Sequence, residues 1–179
     1  EPPALQHRDS KPGEAVLSVR GLSLPREDQF GVNLDGVTFD VRAGEVVGVA
    51  GVSGNGQKEL LYALSGEDTR APAGSIRMFG TDIARASPGT RRKLGLHFVP
   101  EERLGRGAVP TLPLSANTLL TRTEAVSRGG WISGAATVKL AAQLIADYNV
   151  KAGGPGAAGR SLSGGNLQKF IVGREIDAK

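Results

Sequence analysis

The stretch GVAGVSGNGQKEL, residues 48–60, sets Gly51, Gly54 and Gly56 between an apolar run and a segment of helical character. A strand, then G-x-x-x-x-G-K-[ST], then a helix is the pattern of a phosphate-binding loop. Glycines there let successive backbone N–H groups converge on an anion, and the helix N-terminus adds positive potential. Gly51 and Gly56 hold the two glycine places, with Val52, Ser53, Gly54 and Asn55 between them. The lysine place, however, holds Gln57, and the place of the magnesium-holding hydroxyl holds Lys58. A one-residue shift turns a helical side chain by about 100°, so Lys58 reaches a phosphate only by curling back over the loop. The dinucleotide pattern G-x-G-x-x-G does not fit, because Glu59 stands where its third glycine belongs. The plain alternative is a glycine-rich turn joining a strand to a helix.

The flanks agree with the first reading. VVGVA (46–50) is an unbroken apolar run, which predicts a strand covered on both faces, as in a parallel sheet. Upstream, AVLSVR (15–20) alternates and predicts an edge strand. VTFDVR (37–42) puts Val37, Phe39 and Val41 on one face and predicts a half-buried antiparallel strand. Downstream, QKELLYALSG predicts a helix with Leu60, Leu61 and Leu64 on one side and Gly66 at its end. SIRMFG (75–80) and LGLHFVP (94–100) predict strands. Between them SPGTRRKL predicts a basic helix with Ser87 as cap and Pro88 in its first turn.

Beyond Pro100 the character changes. EERLGRGAVPTLPL reads as loop and SANTLLTRT as a short helix. From Thr137 to Val150 an amphipathic helix is expected, on Val138, Ala141, Ala142, Ile145 and Tyr148. SLSGGNLQKFIVGREIDAK closes the chain, with Leu167, Phe170 and Ile171 as the stripe of a last helix. The expected organisation is a linker or tail over 1–14, an α/β nucleotide-binding core over 15–100, a mainly helical part over 101–165, and a helix over 166–179 returning to the core.

Composition narrows the function classes. The chain has 179 residues and no cysteine, so disulfides and thiolate metal sites are excluded. Its two histidines, His7 and His97, stand far apart, which argues against a histidine metal cluster. A net charge of +4 with scattered basic residues suits a solvated surface rather than a nucleic-acid stripe. No run approaches the ~18 apolar residues of a membrane span, and residues 1–14 lack a signal-peptide core. A soluble, intracellular protein is expected.

LSGGN (162–166) is the second motif. Ser163 can cap a helix, and Gly164 and Gly165 leave backbone N–H groups open to an anion; simple capping by Ser163 is the plain alternative. With the glycine loop about 110 residues earlier in the chain, the motif resembles the LSGGQ signature of ABC-transporter ATPase domains. The resemblance runs from about Ala15 to the end, through LDGVTFDVRAGEVVGVAGVSGNGQKELL, HFVPEERLGRGAVPTLPLSANTLL and SLSGGNLQKFIVGREI. It is most similar to the second nucleotide-binding half of the ATPase subunit of simple-sugar and nucleoside importers.

That resemblance implies a P-loop NTPase-like α/β fold with a helical subdomain. It implies ATP as ligand, through Gly51 to Lys58 and through Leu162, Ser163, Gly164, Gly165 and Asn166. Phe30 is implied as the aromatic that stacks on the base; a packed loop phenylalanine is the alternative. Implied partners are an N-terminal nucleotide-binding half of the same parent chain, transmembrane permease subunits and, indirectly, a solute-binding protein, with no nucleic acid. The expected place is the cytoplasmic face of the membrane.

Departures from the family pattern refine this. The glutamine that senses the γ-phosphate is not visible between Leu96 and Leu104, where Glu101 or Glu102 stands. FIVGREID has helical spacing and cannot be the acidic strand that holds magnesium, so the fold is expected to stop before that strand. The loop is therefore expected to bind ATP weakly, with Mg2+ only at the partner's site and no hydrolysis by this fragment alone. The alternative function is a regulatory nucleotide-binding module or a DNA-associated ABC-type module. The latter carries a long coiled coil, and no heptad pattern exists here.

Overall fold

A computed structural model describes residues 13–176. The expected tail over 1–14, with His7, and the end of the last helix after Ile176 lie largely outside the described residues. Contacts divide the chain into two compact units, 1–96 and 97–179.

The first unit is built on a four-stranded antiparallel sheet in the order β2-β1-β3-β4: β1 Ala15–Leu24, β2 Leu34–Arg42, β3 Ile76–Met78 and β4 Thr81–Asp82. β1 pairs with β2 on one side and β3 on the other, so the segment expected at an edge is central. Its alternation is broken by a bulge between Val19 and Leu22, where Gly21 takes φ 54° and donates to Thr38 Oγ1 at 2.9 Å. The bulge shifts the phase by one residue, which lets Val19 and Leu22 both enter the core. Val37, Phe39 and Val41 of β2 are half-buried, as their alternation predicts.

Helix α1, Gln57–Ser65, packs Leu60 and Ala63 into this core and ends at Gly66 in the left-handed conformation. Leu61 faces outward and Leu64 is half-buried, so the inward stripe is 60/63/64 rather than 60/61/64. Helix α2, Pro88–Lys93, starts as expected: Ser87 Oγ accepts from Thr90 N–H. From α2 the wholly buried Arg91 donates to the carbonyls of Ala63 and Leu64 at the end of α1, and to those of Ala84 and Ala86.

Two expected strands do not form. Residues 46–50 and 94–100 carry no strand, and Val46 and Val49 are 96% and 60% exposed. A strand exists only through the ladder it makes with a neighbour. Among the described residues no strand pairs with either segment.

The second unit holds α3 Leu114–Thr118, α4 Thr123–Val126, a small hairpin of β5 Ser127–Arg128 and β6 Trp131–Ile132, α5 Gly134–Asp147 and α6 Gly164–Ile176. Ser133 caps α5 by accepting from Ala136 N–H, so the helix begins three residues before the expected Thr137. Its buried side is Thr137, Ala141 and Leu144, with Leu140, Ile145 and Tyr148 half-buried; Val138 and Ala142 face solvent. Leu114, Leu144, Val150 and Phe170 form the core of this unit, and Leu167 and Ile171 of α6 pack with Ala108 beside it. Among the described residues no helix is long and apolar enough to cross a membrane.

Candidate functional site

In the first unit, Gly54 and Gly56 take φ 87° and 94°, a region that disfavours any residue with a β-carbon. Gly56 stands at the N-cap of α1 without a side-chain cap, and its carbonyl accepts from Leu60 N–H to open the helix. The first turn of α1 thus presents backbone N–H groups beside an exposed loop, Gly51 to Asn55. A β-carbon on Gly56 would also meet Leu34 at 3.1 Å.

The two departures from the phosphate-loop pattern have definite positions. The Gln57 amide turns back into the loop: Oε1 accepts from Asn55 N–H at 3.1 Å, and Nε2 donates to the Val52 carbonyl at 3.0 Å. Lys58 does not curl over the loop; its Nζ lies 5.5 Å from the Tyr62 ring centroid, one turn along α1. An ammonium has no lone pair for a metal, so the hydroxyl place cannot hold Mg2+. Among the described residues no cluster of three metal-ligating side chains exists. The loop keeps the glycine backbone geometry at Gly54 and Gly56 and lacks both the cation and the metal ligand of the pattern.

Phe30 is 86% exposed, so it is not packed against the described residues of this chain. Its turn is fixed by Asp28 Oδ1, which accepts from Phe30 N–H at 2.7 Å and from Gly31 N–H at 2.9 Å. The same segment is tied to α1, because Glu59 Oε1 accepts from Val32 N–H at 3.1 Å. Glu59 therefore links the aromatic to the helix that follows the glycine loop, a role the sequence reading missed. Its only signal is an acid in the first turn of a helix, which the helix dipole alone would explain.

In the second unit, the Ser163 carbonyl accepts from Leu167 N–H at 2.9 Å and opens α6, while Ser163, Gly164 and Gly165 are exposed. Asn166 organises this start. Its Oδ1 accepts from Lys151 N–H at 2.9 Å, which leaves Nδ2 to donate to Ser163 Oγ at 2.9 Å. With its oxygen engaged, the Ser163 hydroxyl keeps its proton to donate outward. Half-buried Leu162 packs against both apolar clusters of the unit and anchors the motif.

Arg103, which the sequence reading also passed over, lies beside Gly164: a β-carbon there would sit 3.4 Å from the guanidinium. Arg103 Nη1 donates to Gln168 Oε1 at 3.3 Å. Val99, Pro100, Glu101, Arg103, Gln168 and Ile171 line a cavity of about 340 Å³. Of the two glutamates left open by the sequence, Glu101 is the one that lines it. His97 Nδ1 is 3.7 Å from Glu175 Oε2, and Glu175 also accepts from Thr121 Oγ1.

Known proteins place this architecture. The chain is 35% identical over 170 residues to the nucleoside import ATP-binding protein NupA of Lactococcus lactis subsp. cremoris, covering 94% of this chain and 33% of that protein. It is 35% identical over 175 residues to the guanosine import ATP-binding protein NupO of Bacillus subtilis, covering 96% and 34%. With a ribose import ATP-binding protein, RbsA 1, of Streptomyces avermitilis it shares 38% over 162 residues, covering 90% and 30%. The chain thus spans about a third of the length of these relatives. Among solved structures, the ATP-binding cassette MJ0796, a dimer in a post-hydrolysis state bound to ADP and Pi, superposes with a TM-score of 0.67 at 18% identity. That match covers 89% of this chain and 68% of that one. The fold is accordingly the α/β P-loop NTPase fold of ABC ATPases. The ABC transporter family model matches residues 34–177, and the chain belongs to that family.

Proposed function

We propose that this chain is the degenerate nucleotide-binding half of an importer ATPase subunit for a simple sugar or a nucleoside, and that its LSGGN motif serves the competent ATP site of a partner half. The reading is supported by the import ATP-binding proteins that resemble the chain. One observation carries its finer part, the contrast between the two motifs. The phosphate loop has a glutamine amide bound across it and its nearest lysine turned to Tyr62. The signature keeps an exposed serine and two exposed glycines at the start of a 13-residue helix.

In this reading the partner is an N-terminal nucleotide-binding half of the same parent chain, whose intact loop holds ATP and Mg2+. The N–H groups of Gly164 and Gly165, and the Ser163 hydroxyl, meet the γ-phosphate when the halves close. Phosphoryl transfer depends on positioning and charge stabilisation, so this contact completes the site without a reacting group from this chain. Closure acts on transmembrane permease subunits at the cytoplasmic face, and a separate binding protein delivers the solute. The test is ATP turnover and solute uptake by the intact importer carrying Ser163→Arg, beside Gln143→Arg on the exposed side of α5. Ser163→Arg abolishes both activities at normal assembly and the control retains them. Near-normal turnover in Ser163→Arg overturns the reading.

A further inference from the structure

We propose that the Gln57 side-chain amide acts as a built-in surrogate ligand of the phosphate loop and sets its affinity, so that a nucleotide binds here only by displacing it. The inference rests on reading residues 51–58 as a phosphate loop and adds what controls that site.

Two bonds and one close approach place the amide. Oε1 takes the Asn55 N–H at 3.1 Å, a donor of the kind a phosphate oxygen uses in such a loop. Nε2 gives a proton to the Val52 carbonyl at 3.0 Å. The donor of the first bond and the acceptor of the second are backbone groups, so the amide has only one orientation that satisfies both. The same nitrogen lies where a side chain at residue 51 would begin: a β-carbon on Gly51 would fall 2.6 Å from it. The absence of a side chain at Gly51 is therefore what admits the amide.

The chemistry differs from that of a lysine in this place. A lysine side chain carries a charge that a phosphate satisfies better than a carbonyl does, so the ligand draws it over. The Gln57 amide is neutral and gains little from an incoming anion, while it gives up two hydrogen bonds on leaving the loop. Lys58 supplies no compensating charge, since its ammonium lies by Tyr62. Each neutral hydrogen bond contributes modestly against water, so the competition amounts to about threefold to tenfold in affinity for a phosphate-bearing ligand.

The experiment is titration calorimetry on the chain with ADP, and with adenosine as the ligand that lacks phosphate, both without magnesium. Gln57→Ala removes the amide and adds no charge, and it raises ADP affinity about threefold to tenfold while adenosine binding stays the same. Unchanged or weaker ADP binding in Gln57→Ala overturns the proposal. Gln57→Lys with Lys58→Ser, measured alongside, separates the causes of failure. A gain in the double variant alone discards the amide's role and keeps the loop; no ADP binding in either discards the loop as well. Side-chain NMR of Gly51→Ala gives a reading independent of affinity. Its added methyl expels the amide, and the Gln57 NH2 signals move to the positions of a solvent-exposed glutamine. Signals unchanged from the parent chain contradict the placement of Gln57.

Discussion

The ring of Tyr148, at the end of α5, rests on the backbone of Gly173 in α6, in the place a β-carbon on residue 173 would occupy. Glycine in a helix interior is unfavourable, and this contact gives its reason. Gly173→Ala forces the near end of a rigid ring to move. Overpacking of this kind costs about 1–3 kcal/mol, more than the up to about 1 kcal/mol that alanine gains over glycine in a helix. Urea unfolding is expected to shift to lower midpoint in Gly173→Ala, and the shift is expected to vanish when Tyr148 is also alanine. Additive effects of the two changes would contradict the contact.

Arg91 is the corresponding device in the first unit. Its guanidinium is buried and donates to four carbonyls; desolvation lowers its pKa from the ordinary arginine value. Arg91→Met strands those carbonyls, each at a cost of about 1–3 kcal/mol when buried, and is expected to unfold the first unit at markedly lower denaturant. Arg91→Lys rescues little, because three donors on one nitrogen cannot reproduce a planar fork. Full stability of the lysine variant in chemical denaturation would count against this geometry.

Such features mark where the sequence stops being informative. The cap at Ser87, the stop at Gly66 and the stripe Leu167, Phe170, Ile171 are local, and their residue types specify them without outside help. The run Val46 to Ala50 has strand chemistry, but a strand also needs a lateral neighbour, and none of the described residues provides one. The stripe of α5 is offset from its expected side, because the buried Thr137 donates its hydroxyl to the Ser133 carbonyl and passes for apolar. At the site, the glycine loop and the start of α6 were legible as motifs, whereas the exposure of Phe30 was not. The fold of Gln57 into the loop and the tie from Glu59 to Val32 depend on side-chain paths that spacing does not encode.

Asp82 gives the first unit an acid-sensitive element. Its pKa lies below the usual aspartate value, chiefly because its carboxylate accepts from Ala84 N–H and also from Gly74 N–H. A depressed folded-state pKa adds stability that is fully present above the unfolded value of about 3.9 and is lost as pH falls through the folded value. Asp82→Ala is therefore expected to be less stable than the parent at pH 6, with the difference narrowing below about pH 4. Denaturant melts at pH 6 and pH 3 check this; a difference that grows in acid reverses the assigned sign.

Restoring the missing chemistry of the loop is expected to restore its ligand. Gln57→Lys with Lys58→Ser supplies a cation and a metal-holding hydroxyl on the existing glycine scaffold. ATP binding is expected to tighten by about 1–3 kcal/mol through charge-assisted hydrogen bonds and to become magnesium-dependent. Equilibrium dialysis with and without Mg2+ reads both effects, and an unchanged affinity would mean that the backbone is not shaped for phosphate.

In the proposed arrangement the signature of this chain, and not its phosphate loop, meets the γ-phosphate that is hydrolysed. Vanadate trapped with ADP and Mg2+ takes the place of that phosphate, and near-ultraviolet light then cleaves the backbone beside it. The measurement is the mass of the fragments released from the intact importer after trapping and irradiation. Cleavage at Ser163, with none between Gly51 and Lys58, is the predicted result. Cleavage at Ser53 or elsewhere in that loop, with Ser163 intact, would contradict the account.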